Sequence, residues 1–188
     1  MFELKEIYTK SNLLSLFRLF LAIPLWILLD DFDENRYYVF ALCIFTAITD
    51  MLDGYLARKF NEVTEFGKVI DPLADKVAMA AVVIKLYLIG VISPFYFFLI
   101  VVRDLLIFTG GIFVSKKIGR VLPSNKLGKI SVLSIGIVLL LILLGLNQEF
   151  FIYQFFYYLS VVLIFASFAG YVIRAAEFIK RNNKNESV

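Results

Sequence analysis

A chain of 188 residues that is 61% hydrophobic, with a mean hydropathy of +0.83, is far more apolar than the roughly 45–50% of soluble domains. It has no His and a single Cys, which excludes His-based acid–base chemistry, His-ligated zinc, thiolate clusters and an internal disulfide. The formal charge of +3 says little until the charges are placed along the chain, and no nucleic-acid partner is expected.

These features predict an all-α integral membrane protein. The opening "MFELKEIYTK" carries charges and lacks the apolar core and small-residue cleavage site of a signal peptide. Phe2, Leu4, Ile7 and Tyr8 share a helical face, so residues 1–12 read as a short interfacial amphipathic helix. A crossing needs about 20 mostly apolar residues. Six segments qualify approximately: Leu13–Leu29, Tyr37–Ala57, Asp71–Ile89, Pro94–Val114, Ile130–Leu146 and Phe151–Ile173. Cys43, inside the second, reads as a small buried hydrophobe. Residues 13–174 would form a six-helix bundle within one domain over 1–188. Residues 175–188 would be a tail, disordered over "NNKNESV".

The loops alternate in charge. "RKFNEVTEFGK", "SKKIGRVLPSNKLGK" and the tail are basic, whereas "DDFDENR", "GVIS" and "NQEF" hold Arg36 as their only basic residue. Lys/Arg excess marks the cytoplasmic face, so both termini are expected there.

"TDMLDGYLARKFNEVTEFGKVIDPLADKVA", residues 49–78, places four aspartates at the adjoining cytoplasmic ends of spans two and three. Asp50 ends the uncharged run Tyr37–Thr49. Asp50 and Asp53 are i, i+3 with Ala57 continuing their stripe; Asp71 and Asp75 are i, i+4. Pro72 is either the first helical residue after an Asp71 cap or a kink in a helix begun earlier. Antiparallel neighbours would let both pairs converge. Burying such charges costs roughly 3 kcal/mol each on insertion scales, so protonation or counter-charge must relieve it. An all-carboxylate set suits two hard divalent cations, Mg²⁺ or Mn²⁺, and a binuclear site suits phosphoryl chemistry. Gly54 and Gly67 leave bare backbone for close approach, and Arg58 offers a fork to phosphate oxygens. The plainer reading pairs Asp50 and Asp75 with Arg58, Lys68 and Lys76 as interfacial salt bridges; it explains neither the glycines nor the number of acids.

The pattern Asp50-x₂-Asp53-Gly54-x₂-Ala57-Arg58-x₈-Gly67-x₃-Asp71-x₃-Asp75 resembles, without departure, the signature of the CDP-alcohol phosphatidyltransferases. The length and six-helix pattern are similar as well. The resemblance implies transfer of a phosphatidyl group from CDP-diacylglycerol to an alcohol, with release of CMP. It implies that Asp50, Asp53, Asp71 and Asp75 hold metals and that Asp75 is also the general base. Gly54, Ala57, Arg58 and Gly67 would then contact the CDP portion. Arg18 either snorkels to the interface or reaches the donor's phosphate.

Basic residues facing that site would select the acceptor. Arg103, mid-span after nine uncharged residues, is a functional candidate by default; its plainer role is a structural pair with an acid. Lys116, Lys117, Arg120, Lys126 and Lys129 mark the cytoplasmic side and suit anionic lipid. Lys129, in "KLGK" at the entrance to span five, is the preferred acceptor ligand, with Lys117 and Arg120 as further candidates. "SNLLSLFR", "DPLADK" and "LGK" resemble both phosphatidylglycerophosphate synthases and the cardiolipin synthases of this fold. Arg103-Asp104 is more like the cardiolipin type. The cations still favour an anionic acceptor, sn-glycerol 3-phosphate, with phosphatidylglycerol, inositol phosphate or serine as alternatives. A divalent-cation transporter is the reading from another class, but it wants acids near the bilayer midplane. "YQFFYY", residues 153–158, is an aromatic belt or a packing surface for a second subunit, since the family resemblance implies a homodimer. The expected location is a bacterial inner membrane, with the site facing the cytoplasm and membrane lipids around it.

Overall fold

The computed structural model describes residues 9–60, 67–118 and 126–185. Side chains 10–11, 53–60, 67–69, 71–72, 112–113, 115–118 and 179–185 lie outside that description, as does most of the interfacial segment expected at 1–12. Among the described residues there are six helices and no strand: α1 (Lys10–Leu28), α2 (Phe32–Phe60), α3 (Gly67–Leu88), α4 (Pro94–Ile118), α5 (Lys126–Leu143) and α6 (Phe151–Asn185). Each expected span falls on one of them. They form two compact units, residues 1–91 with α1–α3 and residues 92–188 with α4–α6.

In the first unit α1 packs on both α2 and α3. Thr9 caps α1, its Oγ1 accepting from Asn12 N–H at 3.4 Å. The stripe Asn12, Ser15, Arg18, Ala22, Leu25, Leu29 is buried, whereas Leu13, Phe17, Phe20, Ile23 and Ile27 are exposed. Both sets recur at steps of three and four, as a helix face requires. The polarity of the first two turns is inverted relative to a soluble helix: polar groups point inward and apolar ones outward. Water would not select that arrangement; lipid would. At the other end of the unit, Lys85 donates to Asp30, and its Nζ lies 5.0 Å from the Trp26 ring centroid.

In the second unit α6 packs on both α4 and α5. Ser93 caps α4, accepting from Tyr96 N–H at 3.3 Å, with Pro94 in the first helical position, where its missing donor costs nothing. Tyr96 Oη and Ser160 Oγ share a buried 2.8 Å hydrogen bond that ties α4 to α6. Farther along, a Cβ at Gly110 would approach Tyr171 Cε1 to 3.2 Å, so glycine there admits the ring. Among the described residues three helices, all in this unit, are long and apolar enough to cross a membrane: Pro94–Gly111, Lys126–Leu143 and Phe151–Phe178. Asn12–Leu28 is a shorter apolar stretch. In α2 and α3 the charges at both helix ends interrupt the apolar length.

The helix limits decide one alternative and correct two expectations. α3 begins at Gly67, so Asp71 is not its cap and Pro72 lies inside the helix, leaving the Lys68 carbonyl without its usual i+4 donor. α5 begins at Lys126 and stops at Leu143, so Gly128 and Lys129 belong to its first turn. Gly145 sets that stop: its φ is +73°, and it donates to Ile142 O at 2.8 Å while Leu146 donates to Leu141 O at 3.1 Å, the Schellman arrangement. α6 continues to Asn185, through most of the stretch read as a disordered tail. Hydropathy ends the span near Ile173, but the good helix formers of "RAAEFIK" sustain the backbone beyond it.

α3 ends as α5 does, on Gly90 with φ +76°. A Cβ at Gly90 meets nothing within 4 Å, so Gly90→Ala should cost only left-handed strain, about 1 kcal/mol, and lower the unfolding midpoint in detergent by roughly 2–4 °C. Gly136, inside α5 with equally open space, should show the reverse sign. Gly136→Ala removes backbone entropy from the unfolded chain and should raise the midpoint by a similar amount.

Candidate functional site

The first unit joins its helices through charge. Arg18 on α1 points its guanidinium between α2 and α3, and Nη1 donates to Asp50 Oδ1 at 2.7 Å and also to Asp75 Oδ1. The acids are 32 and 57 residues away in sequence. The Arg18 side chain is 2% exposed, whereas Asp50 and Asp75 are 47% and 48% exposed. Cation and carboxylates thus form a layered site, with the guanidinium sealed behind acids that solvent can reach.

α2 carries Asp53, Gly54, Ala57 and Arg58 in the turns after Asp50, and α3 carries Gly67 and Asp71 in the turns before Asp75. The side chains of these six residues lie outside the described residues. With α3 helical from Gly67, the positions Gly67, Asp71 and Asp75 follow one another at i, i+4 and i+8 along one face. The partner of Asp50 and Asp75 was not read from the sequence. Arg18 takes that role for both acids; of the other candidates, Arg58, Lys68 and Lys76, the first two have side chains outside the described residues. The signal that points to Arg18 is its place in the stripe Asn12, Ser15, Arg18, three polar residues three apart at the head of an apolar helix. Arg18 is buried beside the acids rather than snorkelling.

The oxygen chemistry fits a hard divalent cation. Two carboxylates on different helices turn one oxygen each toward a common cationic nitrogen, and carboxylate oxygens are the donors that Mg²⁺ and Mn²⁺ prefer.

In the second unit Arg103 on α4 is 8% exposed. Its Nη1 donates to Asp104 Oδ1 at 2.6 Å and its Nη2 to the Gly128 carbonyl at 3.1 Å, in the first turn of α5. Its acidic partner is therefore its own chain neighbour. The Nε atom is buried with no hydrogen-bond partner among the described residues. The same holds for Ser131 Oγ, three residues beyond Gly128. Lys129 is exposed in the same turn. Sequence reading passed over Ser131, which hydropathy averages into an apolar span. The side chain of Lys117 and all of Arg120 lie outside the described residues.

Residues 8–170 match the family model described as CDP-alcohol phosphatidyltransferase. A protein of Aquifex aeolicus named CDP-diacylglycerol–glycerol-3-phosphate 3-phosphatidyltransferase is 34% identical over 174 residues, covering 89% of this chain and 96% of that one. A Mycoplasma genitalium protein of the same name is 32% identical over 204 aligned positions, covering 92% of this chain and 86% of its own. A third, from Bacillus subtilis, is 42% identical over 89 residues, covering 47% of this chain and 46% of its own. The match runs through the aspartates of one unit and the buried arginine of the other, and the chain belongs to the CDP-alcohol phosphatidyltransferase family.

Proposed function

We propose that this phosphatidyltransferase moves the phosphatidyl group of CDP-diacylglycerol to the hydroxyl of sn-glycerol 3-phosphate, giving phosphatidylglycerophosphate and CMP. The observation that carries the transfer chemistry is the convergence of Asp50 and Asp75, from α2 and α3, on one cationic point. The acceptor rests on the relatives' names, two of them matched over most of their length.

The family generally uses divalent metal. Asp50, Asp53, Asp71 and Asp75 are the proposed ligands, for two cations, Mg²⁺ or Mn²⁺. Bound there, such ions would neutralise the cluster and the negative charge developing on the donor's pyrophosphate. Asp75 accepts the proton of the acceptor hydroxyl as that oxygen bonds to the phosphatidyl phosphorus. The bond from that phosphorus to the CMP oxygen breaks, and CMP leaves with the electron pair. Arg58 offers its fork to the pyrophosphate oxygens, and Gly54 and Gly67 leave their backbone open to the CDP portion. Ala57 continues the Asp50–Asp53 stripe. Arg103 and Lys129 hold the acceptor's phosphate, with Lys117, near the end of α4, and Arg120, between α4 and α5, contributing charge. The orphaned Arg103 Nε supports a ligand-facing role, because a buried donor without an acceptor is costly.

The same reading places six spans in a bacterial cytoplasmic membrane, with both termini and the site on the cytoplasmic side. It treats residues 1–188 as one domain that works as a homodimer. A second reading, cardiolipin synthesis with phosphatidylglycerol as acceptor, draws on the 2.6 Å Arg103–Asp104 pair, which offsets part of the positive charge a free phosphate would use.

Purified protein in detergent should release CMP from CDP-diacylglycerol only when glycerol 3-phosphate and Mg²⁺ or Mn²⁺ are both present, and EDTA should abolish the release. Release with phosphatidylglycerol in its place would move the assignment to the second reading. Asp75→Asn should lower kcat by at least about 10²-fold, the lower end of a general base's contribution, while CDP-diacylglycerol still binds; near-normal turnover would remove Asp75 as the base. Arg103→Ala should raise the KM for glycerol 3-phosphate by roughly tenfold or more, as for loss of a charged hydrogen bond, and leave the donor KM within about twofold. Equal rises in both constants would count against the acceptor role.

A further inference from the structure

Arg18 sits where a ligand-bound cation is expected. One of its nitrogens receives an oxygen from α2 and an oxygen from α3. Carboxylate oxygens are the donors that would hold a hard cation at Asp50 and Asp75. A guanidinium and a divalent ion drawing on the same oxygens would oppose each other, because both are positive. The burial is asymmetric as well. Solvent reaches the carboxylates from one side, while the 2%-exposed guanidinium closes the other. An ion arriving from solvent therefore meets the acids first and the arginine behind them.

On the reading of this cluster as a metal site, we propose that Arg18 is its resident counter-cation. It holds Asp50 and Asp75 together in the metal-free protein and competes with a divalent ion for their oxygens. Without Arg18 the half-exposed acids would repel each other and the first unit would lose its link between α1 and its two neighbours. With Arg18, metal binding must displace a charge-assisted hydrogen bond, so the arginine lowers the apparent metal affinity in exchange for a preformed site. The phosphate oxygens that arrive with the donor are anionic groups suited to the fork of a displaced guanidinium. Arg18 is thus a positioning residue that couples the filling of the metal site to the arrival of the donor.

The alternative is a brace: Arg18 keeps both contacts while the acids bind metal through their other oxygens, and its loss loosens the ligands. The two differ in the sign of one measurement. Full-length protein is stripped with EDTA, and Mn²⁺ binding is titrated by electron paramagnetic resonance for wild type, Arg18→Met and Arg18→Lys. Thermal unfolding is followed with and without Mn²⁺. A counter-cation predicts that Arg18→Met binds Mn²⁺ about tenfold tighter or more, the scale of a lost charged hydrogen bond. It also predicts a lower unfolding midpoint without metal that excess Mn²⁺ restores. Mn²⁺ affinity equal to or weaker than wild type in Arg18→Met would overturn it in favour of the brace. Should Arg18→Met fail to fold without metal, Arg18→Lys decides. Its compact ammonium keeps the charge with fewer donors, so tighter Mn²⁺ binding than wild type supports displacement and unchanged or weaker binding overturns it. Wild-type protein that binds no Mn²⁺ at all would remove the metal reading and this inference with it, an outcome distinct from equal binding by wild type and variant.

Discussion

The first unit depends on one buried charge. Arg18 is 2% exposed, and a guanidinium sealed from solvent without acceptors is among the costliest groups a fold can carry. Asp50 and Asp75 relieve that cost, and because they come from α2 and α3, meeting the need of one side chain fixes two interhelical contacts. The dependence runs the other way too. The carboxylates are half-exposed, so part of their attraction to Arg18 is screened. What it supplies is register: α1 cannot slide or rotate by a residue without stranding its arginine.

That constraint also explains the inverted face of α1. A helix in lipid gains nothing from turning its apolar residues inward, since lipid tails are as apolar as a protein core. Polar side chains then have only the bundle interior in which to find partners. Asn12, Ser15 and Arg18 are buried while Phe17, Phe20 and Ile23 are exposed, as this logic requires. Lys85 obeys the same rule at the opposite end of the unit, where Asp30 and the Trp26 ring receive it. The second unit adds neutral groups to its buried Arg103: Tyr96 and Ser160 join two helices through one hydrogen bond, and Ser134, Ser160 and Ser167 return theirs to their own backbone.

These particulars separate what a sequence discloses from what it withholds. All six helices were legible because long apolar runs with charged ends are a local property. The aspartate motif was legible because its eight positions fall within a single stretch of chain. The pairing of Arg18 was not, because it joins residues 32 and 57 positions apart and no local pattern sets the rotation of α1 against α2 and α3. Lys85 was passed over because hydropathy averages one lysine into a window about 19 residues long, roughly the length of a span. The extension of α6 to Asn185 was missed for the opposite reason: apolar length marks where a helix leaves lipid, whereas helix propensity decides where it ends.

The exposure of the carboxylates bears on the chemistry more than their number does. In the proposed reaction the donor is anchored by acyl chains and the acceptor arrives from water, so the reacting phosphorus must meet its catalytic groups at a boundary both can reach. Fully buried aspartates would bind metal in a closed cage that neither substrate could enter. Fully exposed ones would lose the interaction strength that a low dielectric provides. Acids about half-exposed, backed by a sealed arginine, meet both demands. The guanidinium between them offsets the repulsion of the two carboxylates, so the protein brings a positive charge of its own to the two acids on which the proposed reaction turns.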